Sequence, residues 1–298
     1  MRTFSILAGF AVAFLIVLPA LATAPTLRPT TIEIQVKHGD WGAARARDIE
    51  MVLASVADVL QPYFPQHAAD RIQVRSSTQG PRVLLEKSSD GGYLVLLNVQ
   101  DTRWDQFAYQ FSHELCHVFT NFERREIGHG EIARDHQWFE ETLCETVSIF
   151  TLKQVASSWE RSPPYPQWKN YAPAFREYAE QLLSENHRRL PLNKSIDEWY
   201  RENQEELKSN PYLREKNELL ASSLLPLLEN TPGSLQAIGF LNLDKLSFDK
   251  SFEAYLESWY SCCPEENREF VGQIITLLEG RRERNGGTTL STSGEFSQ

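Results

Sequence analysis

Basic charge is outweighed in this 298-residue chain, cysteine is scarce, and only one apolar run is long enough to raise the question of a membrane. With 30 Lys and Arg against 40 Asp and Glu the formal charge is -10, and no basic or aromatic–basic cluster interrupts that balance. This excludes a sequence-independent nucleic-acid binder, which needs a basic face to neutralise phosphates. The apolar run, Phe4 to Leu18, is shorter than the roughly 20 residues of a membrane span. Arg2 precedes it, and Pro19 and small residues follow, so residues 1–24 read as a signal peptide. Both Ala20-Leu21-Ala22 and Ala22-Thr23-Ala24 fit small-x-small cleavage, and Pro25 after the second favours the first. There is no lipobox cysteine. The expectation is an exported protein, periplasmic or secreted, with no stable membrane association once cleaved; anchoring through residues 4–22 is the alternative. Export permits disulfides. Cys116 and Cys144 could form a bridge or be two small buried side chains, and Cys262 and Cys263 complete the set of four.

What is present suits a globular protein of one or two domains, with 41% hydrophobic and 23% charged residues. TIEIQVKHG (31–39) alternates as a half-buried strand does, and residues 44–64 have helical spacing. RIQVRSS (71–77), RVLLEK (82–87) and YLVLLNV (93–99) read as further strands, with a turn at Gly91-Gly92. From Trp104 to about residue 280 the pattern is helical, broken near 162–166, 210–211, 231–233 and Pro264. The expected class is therefore α+β: a small N-terminal mixed sheet with a helix, then a mostly helical half. The expected division is a leader at 1–24, a core at 25–160, a helical subdomain at 161–284 and a polar, disordered tail at 285–298.

One helix carries the string HELCH, residues 113–117. Trp104, Phe107, Ala108, Phe111, Leu115, Val118, Phe119 and Phe122 mark its apolar face, and Thr102 with Asp105 resembles an N-terminal capping box. At about 100° per residue, His113 and His117 point roughly opposite to that face. They are four residues apart, so both imidazoles can converge on one metal ion, with Glu114 beside them as a base. Two ligands do not complete a zinc site. The next helix, residues 135–159, has Asp135 as a candidate cap and Trp138, Phe139, Leu143, Ile149, Phe150 and Ala156 along one side. It also carries Glu140, Glu141 and Glu145, which could ligate or could form a solvated first turn.

HELCH followed by a helix reading WFEETLCET resembles the gluzincins, zinc metallopeptidases with an HExxH helix and a Glu ligand on the next one. The resemblance is closest over Trp104 to Phe150. It implies a zincin-like fold and one Zn2+ held by His113, His117 and Glu141, with Glu145 accepting a hydrogen bond from a ligand histidine. Trp138 matches the family's tryptophan, while Glu140 and Thr142 replace its usual Asn and Gly. The second His and the Glu are further apart than in the family, so the loop 123–134 would absorb the excess; His136 and His129 are the fallback ligands. A metzincin would need His where Glu123 stands.

The resemblance further implies hydrolysis of peptide bonds, with Glu114 activating a zinc-bound water. YLVLLNV is the expected edge strand for an extended substrate. Tyr212 would stabilise the oxyanion, with Tyr200, Tyr171 and His187 as rivals. The amine-binding Gly-x-Met-Glu-Asn stretch of the family's aminopeptidases is missing, which favours an endopeptidase. Two alternatives stand beside this reading: an inactive zinc-binding scaffold, and a helical protein without metal. The cleft is expected between the sheet-bearing and helical parts.

Overall fold

In the computed structural model, residues 32–67, 70–128 and 131–280 are described. The leader, the tail and His129 lie outside them. Four strands, β1 (Glu33–Val36), β2 (Arg71–Ser76), β3 (Arg82–Lys87) and β4 (Tyr93–Leu97), form one sheet in the order β1-β2-β4-β3. β1 and β4 both run parallel to β2, whereas β3 is antiparallel to β4. The parallel pair β1–β2 is linked by α1 (Ala46–Leu60), which buries Ile49, Val52, Leu53, Val56 and Leu60 at helical spacing.

The β3–β4 hairpin closes through Ser88, whose N–H donates to the Gly92 carbonyl, while Gly91 sits at φ +82°. That left-handed geometry favours glycine at the turn. The hairpin places β4 inside the sheet, so YLVLLNV is not an edge strand; the edges are β1 and β3, and β3 is the one beside the cleft.

The HELCH helix is α2 (Trp104–Phe119), and all eight residues of its expected apolar face are buried. The Thr102 capping box does not form: Arg103 is the N-cap without a side-chain bond, and Asp105 accepts from the Tyr171 hydroxyl at 2.8 Å instead. Beyond α2, residues 122–132 hold a 3-10 turn and a small hairpin, β5 (Glu126–Gly128) with β6 (Glu131–Ile132). The sequence suggested only a loop here.

α3 (Gln137–Arg161) is capped by His136 rather than Asp135, which instead pairs with Lys208 at 3.5 Å. Its apolar residues do not keep to one side. Val147, Leu152, Val155 and Trp159 are buried as well as the expected set, because α3 packs against α1 and α2 and also against α4 (Ala172–Ser184) and α6 (Arg214–Asn230). Polar residues on this enclosed rod satisfy themselves by bonding back one turn. Thr142, Thr146, Ser148 and Thr151 donate to the carbonyls of residues 138, 142, 144 and 147 at 2.7–3.0 Å. Between α4 and α6 lies α5 (Ile196–Ser209), opened by a Ser195–Glu198 capping box, and α7 (Phe252–Cys262) and α8 (Arg268–Glu279) complete the helical half.

The fold is α+β as expected, with one continuous core spanning both halves. Cys116 and Cys144 face each other across α2 and α3 as buried free thiols, and Cys262 and Cys263 are also free. Among the described residues no helix is long and apolar enough to cross a membrane.

The stack of Phe64 on Phe119, with centroids 4.1 Å apart and both rings fully buried, ties the turn that follows α1 to the end of α2. Phe64→Ala is expected to lower the unfolding free energy by about 3–5 kcal/mol. The readout is a lower urea midpoint at an unchanged slope; a loss below about 1 kcal/mol would contradict this packing.

Candidate metal centre

α2 turns His113 and His117 away from the sheet and toward the first turns of α3. Both rings present Nε2 to the same carboxylate oxygen: Glu141 Oε2 lies 3.1 Å from His113 Nε2 and 3.4 Å from His117 Nε2. Three donors at about 2.0–2.1 Å from a tetrahedral metal stand about 3.4 Å from one another. His113, His117 and Glu141 could therefore hold a metal ion, and two imidazoles with one carboxylate form a donor set that suits a divalent transition metal.

The outer nitrogen of His117 is also held. His117 Nδ1–H donates to Glu140 Oε1 at 2.6 Å, since a carboxylate oxygen there accepts, and Nε2 is the nitrogen turned toward Glu141 Oε2. Glu140 is 0% exposed. It is not in a solvated first turn: Arg125 Nε lies 2.8 Å from Oε2, and Asn242 Nδ2 donates to the same oxygen at 2.7 Å. Asn242 in turn accepts from the Tyr255 hydroxyl at 2.7 Å and donates to the Thr120 carbonyl at 3.0 Å.

Glu145 is placed differently from the expectation. It stands 3.9 Å from His113 Nδ1, too far for a hydrogen bond, and its oxygens accept from the Tyr109 hydroxyl at 2.5 Å and Arg188 Nη2 at 2.8 Å. The direct histidine–carboxylate bond expected of Glu145 is made by Glu140. Arg125, Asn242 and Arg188 were not found from the sequence, because they reach these carboxylates from separate segments and no local spacing marks them.

The charges follow from this enclosure. Burial works against the charged imidazoles, but Glu141, joined by Glu140 at His117, holds His113 above and His117 well above the ordinary histidine value. Glu141 is held well below the usual carboxylate range, the two histidines outweighing its burial. Glu114 goes the other way: its burial dominates and raises it, with the histidines and the Val83 backbone N–H offsetting only part.

These side chains line a cleft of about 730 Å³ between the β3 edge, α2, α3 and the start of α6. Glu114 opens onto it, with Val83 and Leu84 of β3 on one wall and Tyr212 and Arg214 on another. Tyr212 is the one member of the expected set of oxyanion candidates that reaches the cleft. Tyr200 is buried against Trp138, Tyr171 is bound to Asp105, and His187 contacts Glu218 at 2.5 Å. His136 is no ligand either: it stacks on Tyr255, and its Nε2 bonds the Lys250 carbonyl at 3.1 Å. A second cluster, Glu185, His187 and Glu218, has a similar donor set, but Arg188 and Arg214 already neutralise Glu218.

Removing the cation beside Glu140 strands a buried charge. Arg125→Met is expected to cost about 3–5 kcal/mol of stability in chelator-treated protein, and Arg125→Met with Glu140→Leu to recover most of it. Urea unfolding of the two variants is the measurement, and equal losses in both would refute the pairing.

No family model matches this chain, and no curated protein matches it.

Proposed function

We propose that this protein is a zinc-dependent metallopeptidase, more specifically an endopeptidase acting on extended polypeptide, and that its leader at residues 1–24 directs it out of the cytoplasm. The observation carrying this reading is the convergence of His113 Nε2 and His117 Nε2 on Glu141 Oε2, at 3.1 and 3.4 Å, with Glu114 beside them in an open cleft. Zinc, when bound, supplies a Lewis acid that polarises a carbonyl and acidifies a water.

The chain's own residues divide the remaining work. Glu114 takes the proton of the attacking water and delivers it to the leaving amine; its burial raises its proton affinity, which suits a group that must both accept and release. Tyr212, on the cleft wall, donates to the developing oxyanion. The free edge of β3 offers backbone groups to an extended substrate, which adds to the sheet as a further strand. A recognition module that only held metal would have no need of a carboxylate at 114, which favours hydrolysis over the scaffold reading.

Purified protein is expected to hold about one zinc per chain, lost in His117→Ala and in Glu141→Gln. Glu140→Gln should keep the site but weaken metal binding about 10–100-fold, through its bond to His117. Glu114→Gln should retain zinc yet lose hydrolysis of unfolded casein. Absence of zinc from the wild type, or casein cleavage surviving in Glu114→Gln, would overturn the proposal.

A further inference from the structure

Gln137 opens α3 one turn before Glu141 and is 7% exposed. Its side-chain nitrogen lies 2.7 Å from the Tyr212 hydroxyl oxygen and 3.3 Å from Glu141 Oε1. The direction of these bonds follows from chemistry. Glu141 Oε1 presents lone pairs to the amide, so the edge facing it is the NH2 group, and the same nitrogen faces the Tyr212 oxygen. Both N–H bonds are then committed, one to Glu141 and one to Tyr212. Tyr212 is therefore an acceptor toward Gln137, and its own proton is left for another partner. Its oxygen makes no other hydrogen bond among the described residues, and the residue is 58% exposed on the cleft wall. Glu141 Oε1, meanwhile, is held on the side away from Oε2, the oxygen that faces both histidines.

We infer that Gln137 is a positioning residue which, by donating to both Tyr212 and Glu141, aims the Tyr212 O–H into the cleft as a hydrogen-bond donor to the substrate oxyanion. The inference rests on the metallopeptidase reading, and it ties the third ligand and the oxyanion donor to a single amide. An acceptor at position 137 would do the reverse: it would draw the Tyr212 proton toward α3 and leave the phenol oxygen's lone pairs facing the developing negative charge.

The test uses the full protein loaded with zinc, casein as substrate, and the variants Gln137→Met, Gln137→Glu and Tyr212→Phe. Gln137→Met is expected to lower kcat about tenfold, and Gln137→Glu and Tyr212→Phe about a hundredfold, with KM within about threefold of wild type. In a Tyr212→Phe background, Gln137→Met should cost less than about twofold more, since the group it aims is gone. Zinc content should stay near one per chain in Gln137→Met. A second readout needs no turnover: the 19F signal of 3-fluorotyrosine at position 212 should shift in Gln137→Met relative to wild type, in chelator-treated protein. Effects that multiply in the double variant, or an unmoved fluorine signal, would overturn the inference and leave the peptidase reading standing. A wild type that binds no zinc or cleaves no casein would remove the reading itself, and this inference with it.

Discussion

A carboxylate with no exposure to water, Glu140, is the constraint around which the candidate site is built. An ionised group in that position is tolerated only if every oxygen is met by a charge or a donor. Three segments distant in sequence supply them: His117 from α2, Arg125 from the turn that follows it, and Asn242 from beyond α6. Satisfying Glu140 therefore registers α2 against α3 and draws the 3-10 turn and the distal loop onto the same point. The positions of His113, His117 and Glu141 follow from that registration, since all three ride on the two helices it locks.

On the other side of the cleft, Glu145 repeats the arrangement with different partners. Tyr109 and Arg188 hold it, and Arg188 also reaches Glu218 of α6 at 3.2 Å. Each histidine thus has a carboxylate behind it and each carboxylate an arginine, but only the Glu140 limb closes a direct bond to a ring nitrogen. The interior of this region holds paired charge where an ordinary core would hold apolar packing. Such pairs contribute little net stability; what they add is a defined orientation for the groups between them.

Periodicity made the secondary structure legible. The apolar face of α2 is the buried one, RVLLEK coincides with β3, and Gly91-Gly92 marks the hairpin turn. The histidine face could be read because a helix repeats every 3.6 residues and both rings leave it on the same side. Partnerships were not legible. Alternation identifies β3 and β4 as strands but not which is enclosed, because that depends on β2 pairing with β4 across the sheet. Glu140 beside Glu141 looks like a polar first turn until Arg125 and Asn242 are brought against it by the tertiary fold. The caps failed for a related reason: Asp105 and Asp135 found partners in Tyr171 and Lys208, from segments far away in the chain.

α3 also has a mechanical consequence. Its first turns carry Glu140 and the candidate ligand Glu141, and its later turns form the centre of the helical half, so one rod of 25 residues, about 37 Å long, belongs to both parts of the molecule. Two lobes that share an unbroken helix cannot swing about a hinge between them without bending its backbone. The spacing of the cleft walls is therefore set by the packing along α3, and whatever the cleft takes must fit between walls joined by one rod.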